Sequence, residues 1–492
     1  MMPQFPMLID GDWVSASDGA WIDSHEPGTG EVWAQIPAAT EGDVDRAVIA
    51  ANQAMRSGPW SKMTATARGE ALIRLSELVS KHVAVLAEAE TRDTGKLIRE
   101  TTGSVGYVPA FYRYYGGLAD KIQGHTLPSD KPGMEIFTYR EPIGVVAAIV
   151  PWNSPQMLLA VKLAPALAAG NAVVIKPSEH GSVPILEFGK LVAQAGIPPG
   201  VVNIVTGLGH PVGNALSRHP LVTRIAFTGG PDTGRTIVRN SAENFASVSL
   251  ELGGKSPQIV FADANLDSAV NGIVGGIFGA SGQSCVAGSR LYVQHEIYDN
   301  LMDLLINRTD RIRLGSPLDP ESEMGPLATR EQLKRFDSYV GSAPAEGGRV
   351  LTGGGRPTEP AVGWFVEPTI LEAHSKAVRA QRDEIFGPVL TVTTFTDMDD
   401  AVEKANASPY GLAAGVWTSA VDRAHQMIRS LSAGIIWVNT YRTTSPVAPF
   451  GGLRDSGGGR ESGIDAVYDY TSVKTAWINS SDEAVADPFK VQ

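Results

Sequence analysis

Val145-Val-Ala-Ala-Ile-Val150, Pro151-Trp-Asn-Ser-Pro155, the run from Gln156 to Ala169 and then Ala172-Val-Val-Ile175 decide the fold. A short apolar run is followed by a helical stretch and a second short apolar run, and Gly170 stops the helix in the manner of a C-cap. The rhythm continues through a helix from Val183 to Ala195 closed by Gly196, a strand at Val202 to Val205, a helix near Val212 to Ser217 and a strand at Arg224 to Phe227. Strands alternating with helices in this way predict an α/β fold with a parallel, doubly wound sheet. A second alternating set runs through Ser256 to Val260, Arg290 to Gln294, Ile297 to Arg311, Val389 to Phe395 and Gly434 to Val438. It predicts a second α/β domain. Upstream, Thr64 to Arg92 reads as one long amphipathic helix, with Leu72, Leu75, Leu78, Val79, Val83 and Leu86 at helical spacing. Gly124 to Pro142, with Pro128, Pro132 and Gly133 around the alternating Glu135-Ile-Phe-Thr-Tyr139, reads as a protruding β-hairpin.

Size and composition set the outer bounds. A chain of 492 residues exceeds one ordinary core, so two or three domains are expected. With 43% hydrophobic and 19% charged residues it is globular rather than disordered. A net charge of -12 argues against nucleic acid or an anionic membrane as the main partner, since both need a basic footprint. One cysteine rules out an internal disulfide framework and suits the cytoplasm. The first ten residues lack the basic and apolar regions of a secretory signal, no stretch nears the roughly 18 apolar residues of a membrane span, and the nine histidines show no metal-ligand spacing, so no metal is expected.

That cysteine, Cys285, lies in Ser281-Gly-Gln-Ser-Cys-Val-Ala287, among small residues that cover it little. Leu250-Glu-Leu-Gly-Gly-Lys255 adds an acid, Glu251, beside a glycine pair, and Asn153 lies where a strand meets a helix. Each has an ordinary reading, as a small hydrophobe, a solvated carboxylate and a turn former. Together they supply a nucleophile, a base and an oxyanion donor. Strand Arg224 to Phe227 ends in Thr228-Gly-Gly-Pro-Asp-Thr-Gly234, and a helix is expected to follow. A glycine-bearing turn opening a helix can hold phosphate through free N–H groups and the helix dipole. Spacing alone is weak here, because many glycine pairs fall at this separation by chance, and Gly207-Leu-Gly-His-Pro-Val-Gly213 misses the dinucleotide fingerprint by one residue. Lys176-Pro-Ser-Glu179 follows another strand. Its acid can accept hydrogen bonds from ribose hydroxyls and would repel a 2′-phosphate, favouring NAD over NADP. Ser178 also reads as a helix N-cap, with Glu179 in the first turn.

These motifs resemble the aldehyde dehydrogenase superfamily, of the NAD(P)-dependent, non-phosphorylating, non-acylating kind. The resemblance covers nearly the whole chain. It rests on Pro151-Trp-Asn153, Lys176-Pro-Ser-Glu179, Phe227-Thr-Gly229 with Gly234, Glu251-Leu-Gly-Gly-Lys-Ser-Pro257, Gly282-Gln-Ser-Cys285, Glu384-Ile-Phe-Gly-Pro388 and Pro449-Phe-Gly-Gly452, in the family's order and spacing. It implies Cys285 as nucleophile, Glu251 as base and Asn153 as the side-chain half of an oxyanion hole. Trp152, Lys176, Ser178, Glu179, Gly229, Gly234, Glu384 and Phe386 would hold the cofactor, with Lys176 and Glu179 at the adenosine ribose, Glu384 at the nicotinamide ribose and Phe386 near the nicotinamide. It further implies a Rossmann-like NAD-binding domain from residues 1–123 and 145–253, a catalytic domain at 254–440, an oligomerisation element at 124–144 and 471–492, and a returning segment at 441–470 lining the substrate entrance. A homodimer or homotetramer would follow.

The chain departs from the family pattern in places. Gly230 and Pro231 follow Gly229 where a serine is usual, removing a hydroxyl that could bond a phosphate oxygen. Ser154 stands where many members carry an aromatic, and Leu158 and Val161 are small for an aromatic tunnel. Asn439-Thr-Tyr-Arg-Thr-Thr444 matches a loop at the tunnel mouth. Ser154, Leu158, Val161, Arg442, Thr444 and Phe450 are thus the expected substrate contacts, and a polar aldehyde or a semialdehyde whose carboxylate meets Arg442 is the expected substrate. Two alternatives stand beside this reading: a dehydrogenase that passes the acyl group to coenzyme A, and a family member retained as a structural or binding protein with little turnover.

Overall fold

A computed structural model describes residues 2–375, 377–485 and 487–489. Strand Val145–Val150 explains the architecture. Val146, Ala148 and Val150 enter one buried cluster, while Val145, Ala147 and Ile149 enter another on the opposite face. Because side chains alternate along a strand, an unbroken apolar run means that both faces are covered, as in a parallel sheet. Ala172–Pro177 repeats the pattern, with Val173 and Ile175 on one side and Ala172 and Val174 on the other.

Five parallel strands lie in the order Val202–Ile204, Ala172–Pro177, Val145–Val150, Val222–Thr228 and Ser247–Glu251. The winding direction reverses between Val145–Val150 and Val222–Thr228, and the crevice beyond the strand ends at such a switch point is where open α/β sheets bind ligands. Each edge is closed by an antiparallel addition, Met7–Ile9 at one side and Gly457–Gly458 at the other. The second sheet orders Arg349–Thr352, Thr369–Glu372, Val389–Phe395, Arg290–Gln294, Pro257–Val260, Ala413–Trp417 and Ile435–Val438, parallel except for its first pair. A third, antiparallel sheet joins Thr126–Leu127, Met134–Pro142 and Thr471–Asn479. Residues 486 and 490–492 of the expected element 471–492 lie outside the described residues.

Two local expectations need correction. The long helix from Thr64 to Arg92 is two helices, Ala65–Lys81 and Val83–Thr94, broken at His82 (φ -111°, ψ 14°). The first starts where the Thr64 hydroxyl accepts the Ala67 N–H, a standard N-cap. At the break the His82 ring bonds the Leu78 carbonyl, and a side chain that occupies the backbone ladder in this way bends a helix. Ser178 is not a helix N-cap. Its hydroxyl accepts the His180 N–H in a turn, and the helix begins only at Val183.

Leu167 is fully buried in the helix Pro155–Ala168 that covers the first sheet. Leu167→Ala should lower the free energy of unfolding by about 2–5 kcal/mol through lost transfer and a residual cavity. Ile73→Ala, at a half-exposed position, should change it by under about 1 kcal/mol. Urea unfolding followed by far-UV circular dichroism at fixed protein concentration checks both.

Candidate active site

The loop bearing Cys285 is held in a costly conformation. Ala280 and Ser281 have φ of 53° and Gly282 has φ of 71°. Left-handed backbone is disfavoured for residues with a Cβ and persists only where neighbours enforce it. Three contacts do so here. The Glu100 carboxylate accepts the Ala280 N–H at 2.8 Å, the Ser281 hydroxyl donates to the Gly325 carbonyl at 2.8 Å, and the Gln283 side-chain oxygen accepts the Ala328 N–H at 2.8 Å. Gly282 has no substitute in this position, since a Cβ would stand 2.2 Å from the Gly387 carbonyl oxygen.

A cleft of about 500 Å³ opens between the two parallel sheets. Cys285, Asn153 and Glu251 line it, together with Trp152, Gly229, Glu384 and Phe386. Asn153 follows the end of Val145–Val150, and its amide donates to the Gln283 carbonyl at 3.0 Å, which ties it to the cysteine loop. Glu251 ends its strand and is only 4% exposed, and one of its carboxylate oxygens has no hydrogen-bond partner. Burial, then the neighbouring Glu461, holds its pKa well above the usual carboxylate range, against the pull of Lys162 and Arg460. Cys285 is half-buried at the cleft surface but densely surrounded. Desolvation, then the charges of Glu251 and Glu384, push its pKa up to about 12, with Arg442 acting the other way. At neutral pH the Cys285 thiol is protonated at rest.

Glu384 accepts the Gly254 N–H at 3.0 Å, and burial raises its pKa to about 7. Gly253 makes room for it, since a Cβ there would meet the carboxylate at 2.0 Å. Phe386, at φ 58°, sets its ring edge-on to Trp152 with centroids 5.4 Å apart. Gln332 donates to the Phe386 carbonyl at 2.8 Å, and Arg335 donates to the Glu384 and Ile385 carbonyls. Gly229 donates its N–H to the Glu251 carbonyl, and Gly234 packs on Leu252.

Not every expected residue joins this cleft. Lys176 is buried, 3.8 Å from Glu179, and its ammonium donates to the Pro177 carbonyl. Burial lowers its pKa and the Glu179 charge opposes that. Glu179 lines a separate hollow of about 410 Å³ with Asp93, Thr329 and Trp364. On the expected substrate side, the Ser154 hydroxyl accepts from Lys96 and donates to the Asn153 carbonyl. Leu158 is half-buried, whereas Val161 belongs to the apolar core at 7% exposure. Phe450 packs against the cluster of Val286, Leu412, Ala413 and Trp437, as Cys285 and Tyr441 do. Arg442 donates to the Gly275 carbonyl at 3.2 Å, and Thr444 is exposed, its carbonyl bonded by Tyr107.

Sequence reasoning missed Lys162 and Glu461, a buried ion pair beside Glu251 in which Lys162 also donates to the Thr228 hydroxyl at 2.6 Å. A signal existed, because Lys162 is the one charge in the otherwise apolar helix Gln156 to Ala169. Glu461 gave none.

The aldehyde dehydrogenase family model matches residues 13–476. The chain belongs to that family. It is 51% identical over 99% of both chains to the (Z)-2-((N-methylformamido)methylene)-5-hydroxybutyrolactone dehydrogenase of Acinetobacter baylyi. It is 39% identical to the betaine aldehyde dehydrogenase of Bacillus subtilis, over 97% of this chain and 98% of that one. Among solved structures it resembles PnpE in complex with nicotinamide adenine dinucleotide, with a TM-score of 0.96 at 44% identity over all of both chains. The NAD+ complex of a Bacillus cereus aldehyde dehydrogenase gives a TM-score of 0.95 at 40% identity, over 97% of this chain and 96% of that one.

The resting thiol predicts slow alkylation. Iodoacetamide should modify Cys285 sluggishly at pH 7, with the rate rising as pH climbs towards about 12. Glu251→Gln removes a charge that disfavours the thiolate, so the profile should move to lower pH. Stopped-time mass spectrometry across pH measures both.

Proposed function

We propose that the protein oxidises an aldehyde to a carboxylic acid with NAD, using Cys285 as nucleophile, Glu251 as general base and Asn153 as an oxyanion donor. One observation carries the reading: a thiol, a carboxyl and a carboxamide from three distant segments line the same cleft. The residues present fit a dinucleotide. The turn Gly229–Gly230 opens the helix Pro231–Ser241 with no capping side chain on its N–H groups, and the cleft is floored by Gly253, where any side chain would clash with Glu384. Trp152, Gly229, Gly234, Glu384 and Phe386 would hold the nicotinamide half and the phosphates, and Lys176, Ser178 and Glu179 the adenosine ribose. Glu179 favours NAD over NADP by repelling a 2′-phosphate. The NAD complexes of two similar structures support the same cofactor.

Bound there, NAD would supply the hydride acceptor for the oxidation. The residues of the chain do the remainder. Cys285 must release its proton to solvent in the cleft, and its sulfur then bonds the carbonyl carbon to give a thiohemiacetal. The oxygen of that intermediate carries the new charge, which the Asn153 amide and the Cys285 backbone N–H stabilise. Loss of hydride leaves a thioester. Glu251 takes a proton from the attacking water and returns it to the departing sulfur, so that the C–S bond breaks to release the acid and the thiol. An unpartnered oxygen on Glu251 suits a group that must meet water. Water rather than coenzyme A is therefore the acyl acceptor, and an intact set of these groups speaks against a merely structural role.

The substrate is a polar aldehyde, with a semialdehyde carboxylate directed to Arg442, and Ser154, Leu158, Val161, Thr444 and Phe450 around its path. A 5-hydroxybutyrolactone, the compound class in the name of the Acinetobacter baylyi relative, is by general chemistry the ring-closed form of a 4-oxobutanoate, an aldehyde that carries a carboxylate. The strand Thr471–Asn479, with Val473, Trp477 and Ile478 exposed, gives the hairpin sheet an unpaired edge through which a homodimer or homotetramer forms. Among the described residues no helix is long and apolar enough to cross a membrane, and the cytoplasm is the proposed location.

Cys285→Ala should abolish NADH formation. Glu251→Gln should retain a pre-steady-state burst while steady-state turnover falls about 10²-fold or more, and Asn153→Ala should lower kcat by about 10²–10³. A burst of undiminished size in Cys285→Ala would overturn the nucleophile. Arg442→Ala should cut kcat/KM for succinic semialdehyde roughly tenfold and spare hexanal and benzaldehyde. Equal losses on all three would remove Arg442 from substrate recognition.

A further inference from the structure

Resting on the cofactor reading above, we propose that Arg235 is the cation for the diphosphate of the dinucleotide, and that Asp455 is an internal anion competing for it. Both side chains line the cleft that holds Cys285. Arg235 lies one turn inside the helix Pro231–Ser241. Its guanidinium bonds Asp232 on its own helix at 2.9 Å and reaches across to Asp455 at 3.5 Å. Asp455 sits in the turn between Leu453–Arg454 and Gly457–Gly458, the segment that closes the first sheet beside Glu251.

The local chemistry calls for such a cation. The cap position of this helix offers no hydroxyl, since Gly230 occupies it, the Thr228 hydroxyl just ahead already accepts from Lys162, and the Pro231 nitrogen has no hydrogen to donate. Backbone amides further in remain, but a diphosphate carries two negative charges and brings them towards the carboxylates of Asp232 and Asp455. Arg235 is the guanidinium in that cleft facing Asp455, and its planar fork suits phosphate oxygens. Arg235 and Asp455 are each about half-exposed, and an ion pair of that kind is weak. It cannot lock the cleft. It can exchange one partner for another at small cost, so the diphosphate displaces Asp455 and the displaced carboxylate keeps opposing the bound anion. Affinity for the dinucleotide is set below its maximum by a residue of the chain itself.

The test is equilibrium binding to the purified full-length protein, read by NADH fluorescence, with ADP-ribose and adenosine as competitors. Asp455→Asn should tighten NADH and ADP-ribose about three- to tenfold and leave adenosine unchanged, while Arg235→Gln should weaken both diphosphates about tenfold, each difference shrinking with added salt. In the Arg235→Gln background the gain from Asp455→Asn should be smaller than in the parent, because the partner competed for is gone. Asp455→Glu should restore parental affinity. Equal NADH affinity in parent and Asp455→Asn would overturn the proposal, as would an equal gain for adenosine or a gain undiminished in the double variant. A parent protein that binds no NADH would overturn the cofactor reading itself, and this inference with it.

Discussion

Five residues, Leu252 to Ser256, carry the chain from the last parallel strand of the first sheet to the first strand of the second. That crossing constrains everything around it. It has Glu251 at its start, it lays Gly253 against the Glu384 carboxylate, and it brings Gly254 so near the Cys285 carbonyl that a Cβ would stand 2.6 Å away. The Gly254 N–H then fixes Glu384. Two adjacent glycines thus let one stretch of backbone touch Glu251, the Cys285 loop and the Glu384 carboxylate together. Side chains at either position would pry the sheets apart, so the width of the cleft is set by two missing Cβ atoms.

The electrostatics of the site follow from this closeness. Glu251 and Cys285 are desolvated, and the Glu251 charge further opposes ionisation of the thiol, as the Glu461 charge opposes that of Glu251. A group whose charged form is disfavoured by burial gains reactivity when a neighbouring charge is neutralised or a counter-charge enters. Lys162 cannot serve Glu251 fully, because Glu461 already holds it. The Glu461 charge weighs more on Glu251 than the Lys162 charge does, so the buried ion pair adds to the cost of ionising Glu251.

Much of the fold was legible because the physics was local. The strands of the first sheet could be read from apolar runs whose two faces are both buried, and helix ends from glycines such as Gly170, observed at φ 93°. The break at His82 was not legible, since nothing in the spacing of Leu78, Val79 and Val83 distinguishes one helix from two in line. Gly457–Gly458 could not be read as a strand, because two glycines have no pattern and their pairing with Leu250 and Glu251 depends on residues some 200 positions away. At the site, the segments carrying Cys285 and Glu251 were visible as glycine-framed chemistry, and Asn153 by its place where a strand meets a helix. Glu461 was invisible because its meaning comes wholly from its neighbour Lys162. The separation of Glu179 from the main cleft was likewise a matter of three-dimensional shape.

The pairing of Gly457–Gly458 with Leu250 and Glu251 has a consequence for biosynthesis. As the nascent polypeptide leaves the ribosome, the rim carrying Glu251 must wait for some two hundred further residues before its last ladder partner exists. The thiol is translated long before that rim is sealed. A prematurely terminated product would carry the sulfur without a finished surround, and so without the burial and the neighbouring charges that hold its pKa up in the completed molecule.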